Sequence, residues 1–501
     1  MRALDSLEPA SWFVADRHCY EAIVGDREGS PPGDGGEVLK EWDVIANALA
    51  DPALADEIGS WEAALGQATM WPAIIADRRV HEGRLAKVVQ DYRSPYTHEQ
   101  MCAIAVALCR AFDGSFRRKR PDVVYSFGPN TAGAIIAGYV ARKHGIPFLT
   151  LKSTKISNLI SLSEEWVDWH PHIARLFRDF RSGMPVPAAS QAFSRQYLDA
   201  AMRQALTYEG NKMQEGPQSL MAAFAGFLRA APGALLRDFR ESRRDARDIQ
   251  FQPQLRSAWQ TGPAKLWRIR SARAGLGAAL LPAGQWPAAP FVLFPLNSEP
   301  EIAISVYNRY RRNQIEVARD IAESLPMGMK LVVKEHPRSW GQRPVGYYRR
   351  LAQIPNLLIA PADVPVREFI TRAAAVVVLS SFVGLEAVLA GKPVLTLGAN
   401  LYDFLPRPLI WTVAAASELP AALAAALAAS PADTAVLEDF FSAVHAGSVP
   451  ANLYAGMLGK AGRAAGTAAA QEAVTEQYRG LARYALERYR ACLSQKQNPG
   501  V

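Results

Sequence analysis

Three short stretches of this 501-residue chain hold side chains of the kind that bind and polarise a phosphate ester. The run Ser380-Ser381-Phe382-Val383-Gly384-Leu385-Glu386 brings two hydroxyls to the point where a buried apolar segment gives way to a helical pattern. The first turn of a helix leaves backbone N–H groups unpaired at the positive end of its dipole, so this is either a phosphate seat or a helix simply capped by Ser381. Glu386 lies on the first turns of the same helix, close enough for its carboxylate to accept hydrogen bonds from a ribose. His336 follows the apolar run Lys330–Lys334, and Pro337 makes the chain leave that run sharply. An imidazole there either stands in solvent or donates to a phosphate or leaving-group oxygen, changing its charge near neutral pH. The third stretch is the loop Asn297-Ser298-Glu299-Pro300-Glu301.

These stretches need a scaffold that brings them together. Strand-length apolar runs are predicted at Phe291–Pro295, Lys330–Lys334, Asn356–Ala360, Val376–Leu379 and Val394–Leu397. Helical patterns fall between them at Ser305–Ser324, Pro365–Ala374 and Gly384–Ala390. Strands alternating with helices predict a parallel, doubly wound sheet whose loops leave from carboxyl ends, so all three stretches should face one crevice. Upstream, Asp122–Phe127, Ala132–His144 and Pro147–Leu151 read as a βαβ unit, followed at its carboxyl end by Lys152 and Lys155 as candidate anion contacts or plain surface lysines. Met1 to about Phe112 reads as helical, and the Ala-, Gly- and Pro-rich run Ala274–Pro290 as a linker.

Composition narrows the class. With 49% hydrophobic and 21% charged residues the chain is globular rather than disordered, and its length suits two domains. No apolar run is expected to approach the roughly 18 residues of a membrane span, and Asp5, Glu8 and Asp16 interrupt any signal peptide, so a cytoplasmic address is expected. Cys19, Cys102, Cys109 and Cys492 have no metal-ligand spacing and read as buried thiols; His170 and His172 form a pair with no further ligand in sight, so no metal is expected. The formal charge is +8, and Arg237–Arg273 holds ten basic against four acidic residues. That segment is either a solvated, salt-bridged helix face or a surface drawn to an anionic partner, for which a membrane face or charged glycolipid fits better than nucleic acid, since no nucleic-acid motif accompanies it. The segment Glu476–Leu493 places Tyr478, Leu481, Ala485, Leu486 and Tyr489 on one stripe, suited to packing on the first domain or to interfacial membrane contact.

Several motifs in order carry a resemblance: Phe294-Pro-Leu296, Glu299-Pro-Glu301, Gln314, Leu325-Pro326, Val333-Lys-Glu-His-Pro337, Tyr347-Tyr348, Ile354-Pro-Asn356 and Gly384-Leu-Glu-Ala387 leading into Gly391-Lys-Pro-Val394. Over Phe291–Leu405 the chain resembles the bacterial capsule polysaccharide biosynthesis, or surface carbohydrate, glycosyltransferases, whose type members transfer Kdo to lipid-linked acceptors. The resemblance extends more loosely to Asp122–Asn158, where Lys155-Ile156 replaces an arginine followed by isoleucine.

The resemblance implies an α/β fold of the GT-B type, two Rossmann-like domains facing a cleft with extra N- and C-terminal helices. It implies an acceptor-binding domain over 1–275, a linker over 276–290, a nucleotide-sugar domain over 291–430, and helices over 431–501 packing back. It further implies transfer without a bound metal or other cofactor, helix N-termini and positive groups neutralising the departing phosphate. The donor is expected to be a nucleotide sugar, CMP-activated and Kdo-like, and the acceptor a lipid-linked or oligosaccharide chain, with peripheral contact at the inner membrane as an option. In that reading His336, Pro337, Ser380, Ser381 and Gly384 hold the phosphate, Glu386 the ribose, Lys334 helps neutralise charge, and Asn297 and Glu299 line the donor side. A carboxylate from the N-terminal half, among Glu164, Glu165 and Asp168, would serve as base or nucleophile beside His336. The alternatives are a UDP-sugar transferase, a nucleotide-sugar 2-epimerase, and a non-catalytic scaffold of a capsule assembly complex.

Overall fold

The computed structural model describes residues 10–15, 17, 20, 36–86, 88–90, 92–128, 130–167, 170–203, 219–245, 249, 252–282, 284–429, 435–451 and 468–497. Cys19 and Asp168 therefore lie outside the described residues. The chain divides into two units, one of Met1–Asp77, Tyr96–Lys212 and Ala435–Val501, the other of Arg78–Pro95 and Met213–Thr434. Both are α/β, as the alternation of patterns predicts. The division differs from the expected boundary at 275: residues 213–275 belong with the second unit, and so does the early segment Arg78–Pro95. The expected linker lies inside the second unit too, because Leu280 bridges to Ile359 and Leu281 N–H donates to the Ile359 carbonyl.

The first unit opens with two strands where the sequence reads as helical throughout, β1 (Ser11–Val14) and β2 (Glu37–Lys40), paired in parallel. Its main sheet holds β3 (Val124–Ser126), β4 (Phe148–Ser153) and β5 (Leu159–Ser163). β3 and β4 are parallel, with helix Ala132–Lys143 between them, capped by the Thr131 hydroxyl accepting from Ala134 N–H. β5 then runs antiparallel to β4. The chain reverses through Thr154–Asn158, with Lys155 and Ser157 at φ 59° and 49°, and the Thr154 hydroxyl both donating to carbonyls of the turn and accepting from Ile156 N–H. This hairpin occupies the edge where Lys152 and Lys155 were expected to meet an anion. Lys152 lies within β4, 5% exposed, its ammonium on the Val167 carbonyl, so it is no anion contact.

The C-terminal segment completes this sheet. β12 (Val449–Pro450) pairs antiparallel with β5, and helix Ala468–Gln497 packs Ala485 and Cys492 against Leu149 and Leu162. The Tyr484 hydroxyl donates to the Gly447 carbonyl and that of Tyr125 to the Ala485 carbonyl. The helix's apolar side is thus engaged in packing on its own unit.

His170 and His172 are buried here, both within hydrogen-bonding distance of the Ser161 hydroxyl, with His172 Nε2 2.9 Å from the Gly447 carbonyl. Burial, then the nearby Arg488, holds His172 down at about 3, and burial with Lys152 and His172 depresses His170 well below the usual value. A histidine that titrates near 6.5 when unfolded but far lower when folded takes up its proton in the unfolded state first, so stability is complete above about 6.5 and is lost as pH falls below it. We therefore expect the urea midpoint at pH 5 to lie clearly below that at pH 7.5, with His172→Gln reducing the gap. A pH-independent midpoint would show that these rings do not set the acid limb.

The second unit is built on a six-stranded, wholly parallel sheet in the order β11-β10-β9-β6-β7-β8. Its strands are β6 (Phe291–Pro295), β7 (Lys330–Lys334), β8 (Leu357–Ala360), β9 (Ala375–Val378), β10 (Val394–Thr396) and β11 (Ile410–Thr412). β6 and β9 are buried along their whole length, as strands covered on both faces must be. Val292, Phe294, Leu331, Val333, Val377 and Leu395 join one core with the helices around them. The sheet winds outward from β6 in both directions, so the order reverses between β6 and β9, where open α/β sheets form a ligand crevice at their carboxyl ends.

The predicted helix Ser305–Ser324 is two helices, Ile302–Ser305 and Gln314–Glu323. Asn308 donates to the Ala303 carbonyl and the Ser380 hydroxyl, Arg311 to the Leu397 and Ala414 carbonyls, and Asn313 caps the second helix. Those long-range bonds hold the intervening residues in a turn despite the amphipathic pattern.

Candidate functional site

The three loops do meet at the carboxyl edge of β6, β7 and β9. Asn297, just past β6, donates from its side chain to the Ser380 carbonyl at 2.7 Å, while its own N–H donates to Gln314 Oε1 at 2.7 Å. Beneath them lies Arg343, fully buried. Its Nε donates to Glu335 Oε2 at 2.5 Å, Nη1 to Glu299 Oε1 at 2.9 Å and Nη2 to the Asn297 carbonyl at 2.7 Å. Burial alone would lower its pKa, but the carboxylates of Glu335 and Glu299 carry it well above the usual range. The Tyr348 hydroxyl donates to Glu335 Oε2 at 2.8 Å, and Gln314 donates to Glu299. One guanidinium thus ties the loop after β6 to the loop after β7.

That network decides how several expected ligand contacts are employed. Glu299 is 6% exposed and both its oxygens are taken, the second by the Tyr92 hydroxyl at 2.5 Å, so it positions the loop rather than lining open space. Lys334 is 3% exposed and donates to the Glu335 and Ala362 carbonyls; burial brings it down to about 8. Its ammonium joins the ends of β7 and β8. Ser380 is equally enclosed, its hydroxyl donating to the Ala399 carbonyl and accepting from Asn308.

His336 and Ser381 are more accessible. His336 N–H donates to Glu335 Oε1 at 2.6 Å, which turns the backbone, and His336 Nδ1 accepts from Arg338 N–H at 3.2 Å. A ring nitrogen that accepts is unprotonated, so Nε2 carries the hydrogen of the neutral ring. Burial first, then Arg338, Arg343 and Lys334, lowers this histidine to about 4. It is therefore a neutral N–H donor at pH 7, rather than a group titrating near neutrality as its type alone suggests. Pro337, exposed, starts the short turn that sets this geometry.

Ser381 caps helix Phe382–Leu389, its hydroxyl accepting from Val383 N–H at 3.2 Å. Its N–H donates to Asn400 Oδ1 at 2.9 Å and its carbonyl accepts from Tyr402, so the residue is held from both sides. The capping role is real, and it leaves the hydroxyl's own hydrogen to donate elsewhere. Gly384 has to be glycine because a Cβ there would meet the Tyr402 hydroxyl at 2.0 Å, and at Gly398 one would meet Asn308 Oδ1 at 1.7 Å. Glu386 is half-buried on the same helix, its carboxyl pushed up by burial and drawn back by Arg367.

Sequence reading missed Arg343, Tyr92 and Glu82. Tyr92 and Glu82 come from the segment Arg78–Pro95, which joins the second unit through Gln90 N–H on the Gln342 carbonyl at 3.1 Å and through the Tyr92–Glu299 bond. Glu82 is 8% exposed and raised to about 7, by burial and then by Glu299. Nothing in the local pattern of 78–95 signals this. Arg343 lies in a Gly-Gln-Arg-Pro turn without periodicity, although Gln314 and Tyr348, which share its partners, are among the motif residues.

The candidate carboxylates of the first unit have separate fates. Glu164 accepts from Arg488 at 2.6 Å and from the Cys492 thiol at 3.4 Å, a tie to the C-terminal helix. Glu165 is half-buried, with its N–H on the Ser163 hydroxyl. Among the described residues no group of three or more His, Cys, Asp or Glu side chains could hold a metal ion.

Residues 281–406 match the family model described as capsule polysaccharide biosynthesis protein, the family whose motifs run through Phe291–Leu405. The match lies within the second unit and includes all three loops. No curated protein matches the chain. Among solved structures, KpsC from Thermosulfurimonas dismutans, a β-Kdo 2,4 transferase, aligns at 13% identity and a TM-score of 0.36 over 64% of this chain and 79% of that one. The UDP-GlcNAc 2-epimerase from Methanocaldococcus jannaschii aligns at 13% identity and a TM-score of 0.26 over 72% of this chain and 86% of that one.

Proposed function

We propose that the chain is a glycosyltransferase of surface polysaccharide biosynthesis, capsular or lipopolysaccharide. In this reading the donor is a CMP-activated, Kdo-like sugar bound at the carboxyl edge of β6, β7 and β9. The acceptor is a lipid-linked or oligosaccharide chain met at the cytoplasmic side of the inner membrane. The observation that carries it is the pairing, inside the segment matched by the family model, of a fixed His336 Nε2–H donor with the capped N-terminus of helix Phe382–Leu389.

A nucleoside monophosphate leaving group gathers negative charge as its bond to the sugar breaks. His336 Nε2–H, the hydrogen of the Ser381 hydroxyl and the positive end of the dipole of helix Phe382–Leu389 are fixed before the reaction, and such groups lower the barrier where charge develops without needing to reorganise. Glu386, one turn along, accepts from the ribose hydroxyls. In the same reading no metal takes part, and the base or nucleophile comes from Glu165 or Asp168 of the first unit, since Glu164 is committed to Arg488.

The test is a thermal-shift panel of the purified protein with CMP, CDP, UMP, UDP, GDP and ADP. A ligand at 100 times its dissociation constant stabilises by about 2.7 kcal/mol, enough to move the melting temperature measurably. Selective stabilisation by cytidine nucleotides is expected. A uridine-selective response would replace the donor assignment with a UDP-sugar transferase or 2-epimerase, and silence across the panel would overturn the catalytic reading in favour of a scaffold.

A further inference from the structure

The helix Leu220–Asp245 carries an apolar surface that its own unit leaves uncovered. Over Leu220–Arg240 it is long and apolar enough to cross a membrane by length and composition, contrary to the expectation that no run reaches that length; its small residues, Gly226, Pro232 and Gly233 among them, and Arg229 and Arg237 interrupt the apolar run. Met221, Phe224, Leu228 and Leu235 recur at spacings of three, four and seven, which places them on one face, and they are 85%, 47%, 56% and 58% exposed.

The flank adjoining that face is tied down. Ala223 and Ala234 are buried, Phe227 packs its ring 5.3 Å from Trp259, and both Asp238 oxygens accept from the first N–H groups of helix Gln254–Thr261, at 2.5 Å from Gln254 and 3.0 Å from Leu255. A helix held along one side by the next helices of its unit cannot be surrounded by lipid, so it does not span. It can only present its free side.

What meets that side is indicated by charge. Arg229, Arg237 and Arg240 are exposed on the same helix, and exposed Arg256 and Arg270 follow on the next two, in the segment that supplies a net excess of six positive charges. The exposed apolar surface continues through Phe239 and Leu236 to a flank of arginines on one side, which matches the interface of an anionic bilayer, where acyl chains take the apolar side and lipid phosphates the guanidinium groups. We propose that Leu220–Asp245 lies in the plane of an anionic membrane and anchors the second unit to it, the stripe of Met221, Phe224, Leu228 and Leu235 facing the lipid. The proposal goes beyond the transfer reaction and stands whatever the donor. It also moves the membrane contact away from helix Ala468–Gln497, whose apolar side packs on the first unit.

The experiment is co-sedimentation of the full chain with vesicles of phosphatidylethanolamine and phosphatidylglycerol, and with vesicles of phosphatidylcholine alone, at low and high salt. The wild type is expected to sediment with the anionic vesicles at least tenfold better than with the neutral ones, less so at high salt. The Phe224→Ser, Leu228→Ser, Leu235→Ser triple variant should lose that binding at least tenfold while melting at the wild-type temperature. Hydrogen exchange of the wild type supplies a readout that needs no variant: added anionic vesicles should protect 220–245. Binding unchanged in the folded triple variant, no binding to either vesicle, or no added protection would overturn the proposal. So would a wild-type dimer that the triple variant converts to monomer, since the stripe would then bind a second copy.

Discussion

Replacing Arg343 by methionine is expected to destabilise the second unit by about 3–5 kcal/mol, because removing one partner of a buried ion pair strands the other charge. The effect should be large because the stranded charges are two, Glu335 and Glu299, together with the Asn297 carbonyl that loses its donor. In a domain of this size each kcal/mol moves the melting temperature by roughly 2–4 °C, so a fall on the order of 10 °C should be visible by calorimetry. Adding Glu335→Gln and Glu299→Gln to Arg343→Met removes the stranded charges and should recover part of the loss. A single variant that melts within about 2 °C of wild type would show that the network does not hold the loops as described.

Replacing His336 by alanine should have the opposite profile, little change in melting and a large loss of nucleotide binding. The ring makes one local bond, from Arg338 N–H, while its Nε2–H has no partner among the described residues. A hydrogen bond to a charged group contributes about 1.5–3 kcal/mol, so the affinity for CMP should fall roughly 10- to 150-fold, and transfer at least tenfold. Ser380→Ala provides the contrast, since its hydroxyl is spent on Ala399 and Asn308 and its loss should register in stability. Calorimetric titration with CMP reads the difference. Equal affinity in His336→Ala and wild type would remove His336 from the site. The pH response follows from the ring's low value of about 4: it is neutral through the physiological range, and a bound phosphate, which favours the charged form, should draw a proton onto it only in acid.

How much of this was visible in the sequence depends on which forces fixed each part. The strands of the second unit were legible because a strand buried on both faces is a continuous apolar run, as in Phe291–Pro295 and Ala375–Val378. The β4–β5 reversal was not, because it takes left-handed backbone at Lys155 and Ser157, residue types that seldom adopt it. His336 and Ser381 were legible as positions, since strand ends and helix starts follow from pattern. What each atom does there was not: whether a hydroxyl faces a ligand or a carbonyl depends on Asn308, Ala399 and Asn400, brought in by the fold. Tyr92 is the extreme case, bonded to a residue 207 positions away with no local trace of the partnership.

The order in which the units use the chain has a consequence for its synthesis. The first unit takes residues from three separate stretches and the second from two, so the polypeptide passes from one to the other four times. A nascent chain leaving the ribosome cannot close the first sheet until β12 and helix Ala468–Gln497 have emerged, long after β3, β4 and β5 and after the strands of the second unit. Until then Leu149 and Leu162 lack the cover that Ala485 and Cys492 provide, and the growing chain must wait in a partly open form for that helix.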